Sequence, residues 1–205
     1  MSLKIKVYSD YVCPFCFLGK DQFDKAIEGK DVEVEWMPYE LCPRPYERLD
    51  PVNDPTKLAG WEHYIIPRIK DWGINMKLPD VSPHPYTDLA HQGLHYAKEY
   101  GKEKEYNDRV FKAFFQEDQN IGEISVLARL AAEVGLDEVE FMTVLELGKY
   151  EKIQQKALKH AYDEAEITAV PTFIIGEEHI AGAASKEIFE QAIEKAYDKF
   201  RRNEL

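Results

Sequence analysis

The chain has too few cysteines for two of that residue's common uses. Three Cys in 205 residues supply neither the four thiolates of an all-cysteine zinc site nor the disulfide framework of a small secreted domain. Long apolar runs are lacking too. No stretch approaches the ~20 residues of a membrane-crossing helix, and the N-terminus carries no apolar leader segment. A cytoplasmic location is therefore expected, where ordinary thiols stay reduced. Positive charge is in deficit: 26 Lys+Arg against 38 Asp+Glu leave a formal net charge of −12, and no basic stripe offsets it. Nucleic acid and anionic membrane surfaces are poor partners for such a chain. Neither an internal repeat nor a low-complexity tract is present, and Met1-Ser2 is a candidate cloning remnant.

What remains is the composition of a soluble globular protein, 44% hydrophobic and 31% charged. Its length suits one domain, or one domain carrying an insertion. The most informative feature is Cys13-Pro14-Phe15-Cys16, directly behind the strand-like run Leu3-Lys4-Ile5-Lys6-Val7-Tyr8. A C-x-x-C between a strand and a helix sets its first thiol at unpaired helix N–H groups and the positive end of the helix dipole, which favour a thiolate. The second thiol lies a turn further in, within reach of a small disulfide. Dithiol–disulfide exchange through a mixed disulfide is the chemistry this pattern suits. Zinc is the competing use of C-x-x-C. The H-x-x-x-H pair His91 and His95 lies far beyond finger spacing from Cys16 and sits among apolar and small residues at helical spacing, so no metal site is expected.

Along the chain, Phe17, Phe23 and Ile27 mark a helix closed by Gly29, and the alternation Val32-Glu33-Val34-Glu35-Trp36-Met37 marks a strand. A crossover of that length suits parallel pairing. Residues 38–55 read as an irregular, proline-rich connection. Helical patterns follow: Leu58 to Trp72 with Pro67 inside it; a helix capped by Thr87-Asp88 and ending before Gly101; an aromatic face from Tyr106 to Phe115, read as core. Ile124 to Val134 and Val139 to Leu147 stop at Gly135 and Gly148, and a last helix runs from Tyr150 to Glu166 with Ile153, Ala157 and Ala161 inward. Two short strands, Pro171 to Ile175 and His179 to Ala181, flank a turn. A closing helix capped by Ser185 then turns Ile188, Phe189, Ala192, Ile193, Ala196 and Phe200 inward.

This order, with C-x-x-C after the first strand and Val170-Pro171 before the third, resembles the DsbA-like thioredoxin family, and within it the cytosolic FrnE-type subgroup. The resemblance rests on residues 9–20, Pro38-Tyr39-Glu40-Leu41, Ala90-His91, Ala169-Val170-Pro171-Thr172-Phe173 and Ala181-Gly182-Ala183. It implies an α/β thioredoxin fold with an inserted all-helical domain, residues 1–54 and 166–205 forming the first part and 55–165 the insertion. It further implies that Cys13 is the attacking thiol, that Cys16 is the resolving thiol, and that Pro171 is a cis-proline beside them. Pro14, Phe15, Val170 and Pro171 would contact substrate, with the Val170 backbone pairing as to an added strand.

The reaction implied is exchange with protein or low-molecular-weight thiols and disulfides. It needs no cofactor beyond the Cys13–Cys16 disulfide, and glutathione is a candidate co-substrate. Phe15 departs from the Trp or His frequent in the family and neither donates a hydrogen bond nor carries charge, which argues against a strongly oxidising potential. Cys42 stands where the subgroup often has Asn before Pro43, and reads as a small buried hydrophobe. A glutathione-linked isomerase or transferase and a non-catalytic adaptor are the alternatives. A cysteine pair favours redox chemistry over both. The sequence leaves the substrate, the direction of electron flow and the oligomeric state open.

Overall fold

Four strands form one sheet in the order β2-β1-β3-β4, with β1 at Leu3–Ser9, β2 at Val32–Pro38, β3 at Thr172–Ile175 and β4 at Glu178–Ala181. The structure is a computed structural model and describes residues 2–203. Met1 of the candidate remnant, and residues 1, 204 and 205 of the expected two-part domain, lie outside the described residues. The two N-terminal strands run parallel, Leu3 opposite Val32 and Ser9 opposite Pro38, joined by α1 at Pro14–Ile27. In contrast, β3 pairs antiparallel with β1, and β4 with β3. This is the α/β arrangement the sequence order implies.

On one face, α1 and α9 (Lys186–Asn203) cover the sheet. Phe23 of α1, Phe173 of β3 and Phe189 of α9 have ring centroids 4.5–5.4 Å apart, in tilted or edge contact. All three are fully buried, and truncating one to Ala would cost about 3–5 kcal/mol. The closing helix buries Phe189, Ala192, Ile193 and Ala196 as expected, but Ile188 and Phe200 are exposed. They flank the apolar stripe rather than belong to it.

Between β2 and β3 the chain is helical: α2 (Pro55–Gly60), α3 (Ile66–Trp72), α4 (Asp88–Glu99), α5 (Glu103–Glu117), α6 (Ile124–Glu133), α7 (Glu138–Glu146) and α8 (Glu151–Lys159). Two π-helical turns interrupt it. The one at Trp61–Ile65 divides the helix expected over Leu58 to Trp72, with the Ile66 N–H bonding back to the Trp61 carbonyl. A widened turn is a common answer to a nearby proline, here Pro67, which has no N–H to give. The second, His160–Glu164, ends the helix expected to reach Glu166.

Two further expectations fail locally. The Thr87 side chain makes no cap bond, although the residue precedes α4. Val139 and Leu147, the bounds of the pattern that becomes α7, are both exposed. On α8, Ile153 is exposed while the neighbouring Gln154 is buried, because Gln154 answers polar groups on α4 and beyond β2. Close helix contact depends on Gly93 of α4, where a Cβ would lie 2.6 Å from Phe141 Cζ. α1 is tied to α5 by Lys20, which is 8% exposed and sits 2.5 Å from both Asp24 and Asp108. No helix among the described residues is long and apolar enough to cross a membrane.

Candidate active site

β1 ends at Ser9, and the chain turns through residues 10–12 into α1, with the Cys13 N–H bonding the Asp10 carbonyl. Cys13 is the extended N-cap and Pro14 occupies the first turn, where its missing N–H costs nothing. The Cys16 and Phe17 N–H groups bond the Cys13 carbonyl oxygen. The Cys13 side chain makes no cap bond. Its thiol instead donates to the Val170 carbonyl oxygen, Sγ to O 3.6 Å, because a reduced thiol is a donor and that carbonyl an acceptor. All three cysteines are free thiols in this structure.

Val170 belongs to the loop ahead of β3, 157 residues from Cys13 in the chain. The Val170-Pro171 bond is cis, as are Arg44-Pro45 and Ser82-Pro83, two that the sequence reading did not single out. Around Pro171, the Gly182 N–H donates to the Pro171 carbonyl at 2.7 Å and the Thr172 hydroxyl to that of Ala169 at 2.7 Å. On the other side lies α1. A Cβ at Gly19 would stand 3.1 Å from Pro171 Cγ and 3.3 Å from Phe173 Cζ, so the glycine lets α1 approach the loop. Pro14 and Phe15 are half-buried. The guanidinium of Arg68, on α3, lies 5.7 Å from the centre of the Phe15 ring. The fold thus gathers Cys13, Cys16, Val170 and Pro171 at one end of the sheet, with Phe15 reaching the helical segment.

Cys13 and Cys16 are 3% and 1% exposed. Burial, then the hydrogen bond and charge of Cys13, push the Cys16 thiol well above its ordinary value, while the nearby Ser9 hydroxyl and the Asp10 N–H pull it down. The Asp10 N–H donates to Cys16 Sγ at 3.5 Å. Among the described residues Ser9 Oγ has no hydrogen-bond partner.

Beyond Asp10 lies a polar cluster that the sequence reading missed. The Asp10 carboxylate is 1% exposed, accepts the Leu41 N–H through Oδ2 at 2.7 Å, and holds Oδ1 3.6 Å from His91 Nε2. That nitrogen also donates to the Tyr39 carbonyl at 3.0 Å, and Tyr11 packs on the imidazole with ring centroids 4.8 Å apart. Glu40, 3% exposed, accepts from Gln154 at 2.8 Å, and Gln154 in turn meets His95 at 3.1 Å. Burial raises the Glu40 carboxyl and lowers His95 to about 4. Asp10, Glu40 and His91 fall in the stretches that carry the family resemblance, which was the available signal. His91 is a core residue, as its apolar neighbours suggested. Among the described residues no group of His, Cys, Asp or Glu is arranged to hold a metal ion. Cys42 is half-buried, with its thiol raised by burial and by the charge of Asp10.

A C-x-x-C at a strand-to-helix turn, next to a loop with a cis-proline ahead of an antiparallel neighbour strand, is the pattern read as a thioredoxin-like redox motif. The model of the DSBA-like thioredoxin domain matches residues 4–194, and the chain belongs to that family. It is 62% identical to YwbO of Bacillus subtilis, an uncharacterized protein, over 94% of this chain and 96% of that one. Among solved structures, a probable DsbA oxidoreductase of Streptomyces coelicolor superposes with a TM-score of 0.80 at 26% identity, over 96% of this chain and 90% of that one. The cytosolic disulfide reductase DsbM of Pseudomonas aeruginosa, solved with GSH, is similar in fold: TM-score 0.69 and 15% identity, over 99% and 100% of the two chains.

Proposed function

We propose that this protein is a cytosolic, FrnE-type dithiol–disulfide oxidoreductase acting through Cys13 and Cys16. Membership of the DsbA-like family supports thiol–disulfide oxidoreductase activity in general. The observation that carries the finer reading is the contact between the Cys13 thiol and the Val170 carbonyl. It sets the sulfur beside a backbone group that an extended substrate would pair with. Cys13 attacks the substrate disulfide, and Cys16 then attacks Cys13 to release the product. Pro14, Phe15, Val170 and Pro171 form the substrate-facing surface. The proposal keeps the two-part thioredoxin domain of residues 1–54 and 166–205, with residues 55–165 as insertion, and places substrate at their junction, where pockets tend to form.

Substrates are protein or low-molecular-weight thiols and disulfides. The likeness to a reductase solved with GSH makes glutathione the small thiol to test first. The experiment is trapping with Cys16→Ala in cytosolic extract. Cys13 should still attack while release fails, so mixed disulfides accumulate. A catch dominated by proteins supports the protein oxidoreductase. Glutathione alone favours the isomerase or transferase reading. Partners that co-purify with no covalent link, and no trapped disulfide, favour an adaptor.

A further inference from the structure

Beside the cysteine motif the helical segment sets a cation that has no anion. Arg68, half-buried on α3, makes no ion pair among the described residues, in a chain whose formal net charge is −12. Arg44, Arg109 and Arg201 each reach a carboxylate at 2.5–3.3 Å, and Arg129 reaches the Gln119 side chain at 2.5 Å. Arg48 and Arg202 are also unpaired, but Arg48 lies against the Tyr86 ring and Arg202 is exposed on the last turn of α9.

The Arg68 guanidinium lies 5.7 Å from the centre of the Phe15 ring, inside the ~6 Å range of a cation–π contact. Its Nη1 donates to the Tyr64 carbonyl oxygen, four residues back, at 2.7 Å. The rest of the guanidinium's fork of N–H donors has no hydrogen-bond partner among the described residues. Among those residues, no other Lys or Arg makes a hydrogen bond, ion pair or ring contact with residues 13–16. The cation is also well anchored. Ile65, three residues before it, is buried, and so is Trp61. Trp61 stacks on Phe115 with ring centroids 6.4 Å apart, and Phe115 packs on Phe17 at 5.2 Å. Phe17 directly follows Cys16 on α1, so the π turn ahead of α3 and the helix bearing the motif share one core.

We propose that Arg68 is a substrate-binding residue that takes a carboxylate carried close to the reacting sulfur, so that the protein selects anionic thiols and disulfides. This deepens the oxidoreductase reading and rests on Cys13 as the attacking thiol. The carboxylate belongs to a small thiol compound or to an acidic residue of a polypeptide, and the chemistry at Arg68 is the same for both.

A guanidinium fork matches the two oxygens of a carboxylate, and it stays protonated across the working pH range. The net negative charge of the whole chain opposes an anion at long range. At physiological ionic strength, charges more than about 8 Å away are largely screened, and the contact at Arg68 decides. In the exchange the Cys13 thiolate gives its electron pair to one substrate sulfur, the substrate S–S bond breaks, and the other sulfur leaves as a thiolate. Arg68 neither gains nor loses electrons or protons. It holds the substrate while Cys13 attacks. A charge that acted instead on the Cys13 thiolate would change the rate with every disulfide alike.

The test uses the full chain with Cys16→Ala and Cys42→Ala, which leaves Cys13 as its one thiol. Each disulfide then forms a single mixed disulfide, timed by acid quench and mass spectrometry at an ionic strength of about 0.15 M. The probes are dithiodiglycolate, its uncharged diamide and cationic cystamine. Arg68→Gln should slow dithiodiglycolate about five- to tenfold, the worth of a partly desolvated ion pair. The diamide should stay within about twofold, and cystamine should be no slower. Arg68→Lys should restore part of the rate, as a point charge without the fork. If Arg68→Gln fails to fold, Arg68→Met, which keeps the apolar stem, should show the same loss of selectivity. Two disulfide peptides, with Glu or Gln beside the cysteine, separate the sources. Slowing of the Glu peptide alone extends the site to polypeptides, and equal peptide rates with slowed dithiodiglycolate confine it to small compounds.

Equal slowing of all three probes, or unchanged reaction with dithiodiglycolate, overturns the proposal. A parent protein that forms no mixed disulfide with any probe is a different failure. It removes Cys13 as the attacking thiol, and the role of Arg68 with it.

Discussion

Cys13 and Cys16 lie one helical turn apart, yet they face different chemistry. Cys13 meets a backbone carbonyl of the loop before β3. Cys16 meets Ser9, the Asp10 N–H and, behind them, the buried cluster of Asp10, His91, Glu40 and Gln154. The first environment is suited to a partner that arrives from outside, because its one hydrogen bond is to a group an extended chain also uses. The second is closed to such a partner. Burial raises the Cys16 thiol well above its ordinary value, so the thiol keeps its proton at neutral pH. In the mechanism proposed above, the two side chains take their order of action from these surroundings.

The largest expected effect tests that order directly. Cys13→Ser should lower disulfide reductase activity, followed by insulin reduction, by at least about a hundredfold, since a serine hydroxyl does not form the mixed disulfide. Cys16→Ala should spare the first attack, as described above. Should Cys13→Ser keep full activity while Cys16→Ala loses the first attack, the two environments have been assigned the wrong way round.

A smaller effect should be confined to the Cys13 side. In Gly19→Ala the new methyl meets Pro171 Cγ at 3.1 Å, Phe173 Cζ at 3.3 Å and the Ala183 backbone at 3.4 Å. The neighbours must give by a few tenths of an ångström. The gain in helix propensity, about 1 kcal/mol, opposes an overpacking cost of about 1–3 kcal/mol. The urea midpoint should therefore fall only modestly. Exchange through Cys13 should slow by several-fold, because the loop bearing Val170 is the element displaced. A variant destabilised as expected but with unchanged exchange kinetics would show that the loop position does not matter to Cys13.

The same contrast explains what the sequence made legible. The Cys13 side could be read because its parts are short local signals: a strand, C-x-x-C at a helix start, and Val170-Pro171 opening another strand. Alternating and helical periodicities placed β1, β2, α1 and most of the helical segment. Errors fell where periodicity was overruled. Pro67 is met by a π turn at Trp61–Ile65, and Gln154 takes the buried place on α8 while Ile153 stays exposed. The Cys16 side was not legible as a site. Its members stand at positions 9–11, 40, 91 and 154, far apart in the chain, and a buried polar residue looks in sequence like a solvated one. Only packing shows that His91 meets Asp10 rather than water.

Cys42 gives the smallest effect and the finest test of the boundary between the two sides. It follows Leu41, whose N–H is held by Asp10 Oδ2 at 2.7 Å, so it is attached to the polar side rather than to Val170. Burial and the charge of Asp10 both push its thiol up, and these outweigh the Lys57 charge and the bond to the Leu49 backbone. Less thiolate at neutral pH means a slower nucleophile. Neither Cys13 nor Cys16 figures among the groups that perturb it. Cys42→Ala should therefore stay within about twofold of the parent in insulin reduction. A loss beyond about tenfold, or roughly 1.4 kcal/mol of barrier, would bring a third thiol into the exchange and make the Asp10 cluster part of a second redox position.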